Sequence, residues 1–188
     1  MSELASPGQL RAALLRWSLF LAPLLLVLGT LSGAIAGSGG GNPWFLGLEK
    51  PAIYPPPATF GIVWTVLYLL MGVALAMIIT ARGAAGRGAA IAVFGVQFVL
   101  NLAWSPVFFG MHQLTAAMIL LVVIDLAVLL TIWLFYKVRP MAAYLLLPYL
   151  AWALFATALN YQFVVANQDA ESGADIALHL NPTQQEAI

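Results

Sequence analysis

Charged side chains are scarce in this chain, and their scarcity excludes an ordinary soluble protein. Lys, Arg, Asp and Glu make up 7% of the 188 residues, whereas hydrophobic residues make up 63%. A soluble domain carries roughly a quarter charged residues. Together with a mean hydropathy of +0.96, this deficit indicates that lipid is the main solvent of the chain.

Three further features are missing. Cysteine is absent, so neither disulfide bonds nor thiolate metal sites are available. The seven basic residues are balanced by seven acidic ones, which argues against the basic patch that nucleic acid requires. The two histidines, His112 and His179, lie outside the long apolar runs, so we expect neither axial haem ligation nor a Ser-His-Asp site. We therefore predict no metal, no cofactor and no nucleic-acid partner.

Long apolar runs are abundant, and each approaches the roughly 20 residues that a membrane-spanning helix needs. The alternating ten-residue segments of a β-barrel are not seen. The sequence predicts an all-α integral membrane protein, a five-transmembrane-helix bundle in one domain at 17–165. Residues 1–16 form a predicted N-terminal cytoplasmic segment, and the acidic residues 166–188 a predicted disordered tail. The predicted helices cover about 17–36, 58–80, 89–109, 114–136 and 141–165.

The loop between the first two helices is unusual for a connector. Residues 38–57, here called the lid, contain Trp44, Tyr54 and the prolines Pro55 and Pro56, and we expect them to form a semi-rigid cover.

The distribution of basic residues orients this loop. Five spans place six basic residues on the side opposite the lid, and only Lys50 shares the lid's side. The positive-inside rule then makes the N-terminus cytoplasmic and the lid outward-facing. A multi-pass helical chain suggests the bacterial inner membrane, with an outer membrane as the alternative. The six basic residues are Arg11, Arg16, Arg82, Arg87, Lys137 and Arg139.

Polar and aromatic residues form stripes in the half of the bundle beneath the lid. Amides facing hydrocarbon are costly unless paired, so the stripes should point inward, where they either join helices or line a ligand pocket. We favour the pocket for the combined set. One stripe of the third helix holds Gln97, Asn101, Trp104 and Phe108, and one of the fifth holds Tyr149, Trp152, Ala156 and Asn160; Trp64 and Tyr68 fall in the same half on the second helix, and Trp44 of the lid joins them as a candidate ligand-binding residue.

Small residues recur at helical spacing in two places. Gly29, Gly33 and Gly37 form a stripe on the first helix, for which helix packing is favoured over contact with a flat ligand. A second set on the third helix, Gly88, Ala92 and Gly95, is a candidate dimer contact, and packing inside one bundle is the alternative.

One acidic residue, Asp125, falls well inside a predicted helix. An intramembrane carboxylate is a functional candidate by default. We favour a structural Asp that is protonated or bonded to an amide, with a proton relay as the alternative. Pro106 and Pro148 each remove a helical hydrogen bond, and the resulting kinks either shape a cavity or serve packing.

These motifs resemble the translocator protein family, which comprises bacterial tryptophan-rich sensory proteins and the mitochondrial peripheral benzodiazepine receptor. The match runs in order through most of the chain, from about residue 44 to 160. Its residues are Trp44–Phe45, Lys50–Pro51, Pro55–Pro56, Val63–Trp64, Leu67–Tyr68, Met71–Gly72, Gln97, Leu100–Asn101, Trp104–Ser105, Phe108–Gly110, Pro148–Trp152, Phe155–Ala156 and Leu159–Asn160.

The resemblance implies a five-helix bundle, commonly a homodimer, that binds porphyrins and, in some members, cholesterol-like lipids. It implies a pocket under the first loop walled by Trp64 and Trp152. In some bacterial members those tryptophans are linked to light-dependent porphyrin breakdown, so they are the candidate catalytic residues if the protein is an enzyme. Otherwise no catalytic residue is predicted.

Three positions depart from the family pattern. Ile53 stands where many members have Trp, and Ala58 where some have a second Trp, so this lid is less aromatic. Val165 occupies the place of the basic residue that the sterol motif needs after Tyr161.

Four functions were weighed on these grounds. The leading hypothesis is a membrane receptor or carrier for metal-free porphyrin-type tetrapyrroles, with porphyrin as ligand rather than cofactor. The alternatives are a light-dependent porphyrin-degrading enzyme, a small-solute transporter that uses Asp125, and a structural assembly factor.

Overall fold

Five long apolar helices form the protein, as seen in a computed structural model that describes residues 6–168 and Ala170. They are α1 (Pro7–Ile35), α3 (Pro57–Ile79), α4 (Arg87–Ser105) extended by a π-helical segment (Pro106–Gly110), α5 (Leu114–Val138), and the pair α6 (Pro140–Tyr144) and α7 (Leu147–Ala166). Each of the five is long and apolar enough to cross a membrane. The predicted five-helix membrane bundle is confirmed; the predicted disordered tail lies largely outside the described residues.

The helices close into a ring. Helix α1 packs on α3, α3 contacts α6 and α7, α5 joins α6 and α7 to α4, and α4 returns to α1. Glycine sets the closest approach: a Cβ added to Gly72 of α3 would collide with the Ala22 backbone of α1. Such contact between small residues is how membrane helices gain packing energy without a hydrophobic driving force.

Helix α1 begins at Pro7, well before the apolar run that starts at Trp17. A capping box explains the early start, because the Gln9 backbone N–H bonds the Ser6 side chain and the Ser6 N–H bonds Gln9. The first helix therefore extends into what was predicted as a separate N-terminal segment.

Prolines reshape two helices where kinks were predicted. After Pro106 the chain widens into the π-helical segment, in which the Met111 N–H bonds the Pro106 carbonyl at 2.8 Å. Such segments occur often at functional sites. Before Pro148 the last helix breaks, and a two-residue turn separates α6 from α7.

Basic residues sit at the ends of helices on the side opposite the lid. Arg87 reaches back across the turn that follows α3, and its Nε donates to the carbonyls of Ile78 and Ile79 at 3.3 and 3.1 Å. Lys137 places its Nζ 3.5 Å from the ring centroid of Trp133. The ring of Trp133 is exposed on the outside of the bundle, as is typical of an interfacial aromatic residue.

Candidate functional site: a cavity beneath the lid

A cavity of about 560 Å³ lies between the helices directly under the lid. Side chains of α1, α3, α4, α5 and α7 form its walls, and lid residues form its roof. Its volume falls within the roughly 300–1,000 Å³ of small-molecule sites. The predicted residues that line it are Tyr54, Trp64, Tyr68, Asn101, Trp104, Phe108, Tyr149, Trp152, Ala156 and Asn160.

Aromatic rings stack in series along the walls. Trp64 lies on Tyr68 with ring centroids 5.0 Å apart, and Trp104 lies on Phe108 at the same separation. On α7, Trp152 meets Phe60 of α3 edge-on at 5.7 Å. Because rings pack well against flat apolar groups, this lining suits a planar, largely apolar ligand.

Hydrogen bonds between helices fix these walls. The Tyr68 hydroxyl of α3 donates to Asn101 Oδ1 of α4 at 3.1 Å. Asn160 Nδ2 of α7 donates to the Leu114 carbonyl of α5 at 3.0 Å. Asn101 and Asn160 therefore join helices and line the cavity at once, which combines the two roles weighed for them.

Gln97 differs from the other stripe residues. It is 1% exposed, accepts a bond from the Tyr149 hydroxyl at 3.0 Å, and does not line the cavity. Its geometry favours the helix-joining role over ligand contact. The sequence alone could not distinguish a residue that lines the cavity from one that joins helices one turn away, because both lie on the same face of the helix.

Asp125 also lies outside the cavity wall. Its Oδ2 accepts a bond from the Thr157 hydroxyl at 2.7 Å, and Thr157 also contacts the Ala153 carbonyl at 3.1 Å. The carboxyl group thus joins α5 to α7. The prediction was a structural Asp that is either protonated or bonded to an amide; the bonding partner in the structure is a hydroxyl, and protonation of Asp125 stays a prediction.

Phe45 anchors the lid, a role that the sequence did not indicate. A short helix inside the lid, α2 (Pro43–Gly47), carries it, and its ring is 6% exposed. Its ring centroid lies 5.2 Å from that of Phe109 and 5.8 Å from that of Phe163. The lid is therefore packed onto the ends of two helices and is more than a flexible connector.

Asparagine side chains tie the lid to the bundle at two points. Asn42 caps α2 through the Phe45 N–H at 3.1 Å and donates to the Phe109 carbonyl at 3.2 Å. In the middle of the lid, Asn167 pairs with one lid residue in both directions: it accepts from the Glu49 N–H at 2.7 Å and donates to the Glu49 carbonyl at 3.1 Å.

Three predicted lid residues do not line the cavity. Trp44 stacks on His112 at 4.4 Å and borders a separate shallow depression on the outer surface. Pro55 and Pro56 hold the turn before α3, whereas Pro57 reaches the cavity. Tyr54 does line it, and burial raises the pKa of its hydroxyl. Direct ligand contact is thus geometrically favoured for Tyr54 alone among these four.

Glycines of α1 complete the wall. Gly29 and Gly33 line the cavity, and a Cβ on Gly29 would overlap the Tyr68 ring. Gly29 therefore allows α1 to pack against the Tyr68 ring, and the absence of side chains at Gly29 and Gly33 also keeps the cavity open. Gly37 lies in the turn after the helix with φ 69°.

The small-residue set on α4 faces outward. Gly88, Ala92 and Gly95 are exposed, and a Cβ added to either glycine would meet nothing within 4 Å. The alternative that this face packs inside the bundle is therefore wrong. A dimer contact stays a prediction.

The fold and the cavity together define a class: a five-helix membrane protein with an aromatic-lined cavity beneath a lid. Residues 20–166 match the model of the TspO/MBR family, and the chain belongs to that family. It is 41% identical over 124 residues to the tryptophan-rich protein TspO of Archaeoglobus fulgidus, covering 66% of this chain and 80% of the relative. It is 36% identical over 154 residues to the tryptophan-rich sensory protein of Cereibacter sphaeroides, covering 80% and 92%. It is 38% identical over 136 residues to the human translocator protein, covering 71% and 80%.

Proposed function

We propose that this chain is a membrane receptor that binds porphyrin-type tetrapyrroles in the cavity beneath the lid. The single observation that carries the proposal is the cavity itself, about 560 Å³ between stacked aromatic rings. Receptor or sensory function follows the names of the relatives, a sensory protein and a translocator protein. The macrocycle would stack on Trp64 and Trp152, with Asn101 as a polar contact.

Titration of protoporphyrin against tryptophan fluorescence tests this proposal. We expect saturable quenching in the wild type. Combining Trp64→Phe and Trp152→Phe should weaken binding about tenfold, since stacking of a planar ring on an aromatic side chain contributes about 1–3 kcal/mol. Trp133→Phe is the matched control, because this tryptophan lies on the outer surface beside Lys137. An affinity unchanged in the double variant would place the ligand elsewhere.

Light-dependent porphyrin breakdown is the second candidate function. It is favoured by the position of Trp64 and Trp152, two oxidisable side chains that both line the cavity. Illumination of the bound protoporphyrin should bleach its spectrum and give one defined product. Equal bleaching in protein-free detergent micelles would exclude a role for the protein.

We further propose that two copies associate through the outward face of α4. Its exposed glycines, Gly88 and Gly95, leave room for a second backbone, and small residues favour such close approach in lipid. A Gly95→Trp variant should then run as a monomer in detergent under conditions that keep the wild type dimeric.

A further inference from the structure

One charged side chain, Lys50, borders the cavity among the described residues that line it. It belongs to the lid, and the walls below it are aromatic, aliphatic or neutral polar. The cavity is therefore amphipathic, with a cation at its roof and mostly apolar rings beneath.

The ammonium group of Lys50 is held in place by the lid backbone. Its Nζ donates to the carbonyls of Phe45 and of Leu48, the latter at 2.8 Å, and lies 4.4 Å from the Phe45 ring centroid. An ammonium group has three N–H donors, and these two carbonyls take two of them. Within the part of the chain that the structure describes, no carboxylate pairs with it.

Partial burial acts against the charge of this ammonium group, whereas the two carbonyls and the Phe45 ring favour it. Burial lowers the pKa of Lys50, because desolvation disfavours the protonated form. A carboxylate arriving with a ligand would restore the balance, since an opposite charge at close range favours the charged form.

We propose that Lys50 selects ligands that carry a carboxylate at the edge of a flat apolar body. The carboxylate would accept the third ammonium proton beneath the lid, and the body would stack on the rings below. Charge-assisted hydrogen bonds of this kind are roughly twice as strong as neutral ones. The inference rests on the proposed function, because it names the acidic edge of the same ligand.

The test measures the binding of two ligands to each of three proteins. Protoporphyrin, which carries two carboxylic acid side chains, is compared with its dimethyl ester, which has the same ring and no charge. The proteins are the wild type, Lys50→Gln, which keeps N–H donors for the lid carbonyls, and Lys50→Arg, which keeps the charge. Dissociation constants come from tryptophan quenching at pH 7.5 in one non-ionic detergent.

We expect the wild type to prefer the diacid, and Lys50→Gln to weaken diacid binding about tenfold. Binding of the ester should change less than twofold, and Lys50→Arg should keep most of the preference. Because any loosening of the lid affects both ligands, the ratio of the two constants isolates the charge.

Two results separate the possible failures. If diacid and ester weaken by the same factor in Lys50→Gln, Lys50 only supports the lid and the inference is overturned while the receptor proposal stands. If neither ligand binds the wild type saturably, the proposed function itself fails.

Discussion

The two halves of the bundle differ in how completely their interiors are filled. In the half far from the lid, small and aliphatic side chains such as Ala74, Ala76 and Ile78 are fully buried, and Gly72 lets α3 touch α1. In the half beneath the lid, large rings surround about 560 Å³ of space, and side-chain hydrogen bonds brace the walls. A cavity destabilises the folded protein because its lining atoms lack packing contacts. We infer that close packing in the other half offsets this loss.

The largest expected effect is obtained by disturbing the closely packed half. In Gly72→Val, the new side chain would collide with the Ala22 backbone, and overpacking of this kind costs about 3 kcal/mol. Unfolding in mixed micelles with increasing SDS measures the loss. Gly61→Val, on the same helix, is the matched control, since Gly61 is exposed and a Cβ there meets nothing within 4 Å. If both variants unfold alike, α1 and α3 do not depend on this contact.

Filling the open half should spare stability and remove binding. In Ala156→Phe, a ring would enter the cavity that Ala156 lines, and we expect protoporphyrin affinity to fall about thirtyfold, or about 2 kcal/mol. Ala158→Phe, on an exposed position of the same helix, should bind like the wild type. Tryptophan quenching gives the affinity and the SDS titration gives the stability of each. A binding-competent Ala156→Phe protein would mean that the ligand does not occupy this cavity.

The helices of the bundle could be predicted from the sequence better than the lid. Lipid requires long apolar helices, so five runs were enough to define the bundle. The 3.6-residue periodicity placed Asn101 and Trp152 facing inward, and depth along the helix together with the family resemblance placed Trp64 in the pocket wall. The position of a residue along a stripe was harder to predict. Gln97 lies one turn from Asn101, yet it bonds the Tyr149 hydroxyl and does not line the cavity. The periodicity alone does not say where a cavity ends.

The lid could not be predicted in detail, because its contacts join residues far apart in the chain. Pairing of Asn167 with Glu49 spans 118 positions, and no local pattern marks it. The short helix α2 had a visible signal in Asn42 followed by Pro43, an N-cap and a favoured first helical residue. The roles of Phe45 and Trp44 differ although they are adjacent, because one side chain turns inward and the other lies against His112.

The smallest expected effect concerns how long the lid stays closed over a ligand. Asn167 holds the backbone of Glu49 by two exposed hydrogen bonds at the end of α7, each contributing about 0.5 kcal/mol. Because Asn167 lies outside the cavity lining, its removal should change the dissociation rate more than the shape of the site.

In Asn167→Ala, we therefore expect protoporphyrin to dissociate about fivefold faster, corresponding to about 1 kcal/mol, while the SDS unfolding midpoint stays within error. Stopped-flow recovery of tryptophan fluorescence after displacement measures the rate. Gln168→Ala, at an exposed neighbouring position, is the matched control. A dissociation rate equal to that of the wild type would show that packing of Phe45 alone keeps the lid closed, and would move the control of ligand exchange from the hydrogen bonds to the aromatic contacts.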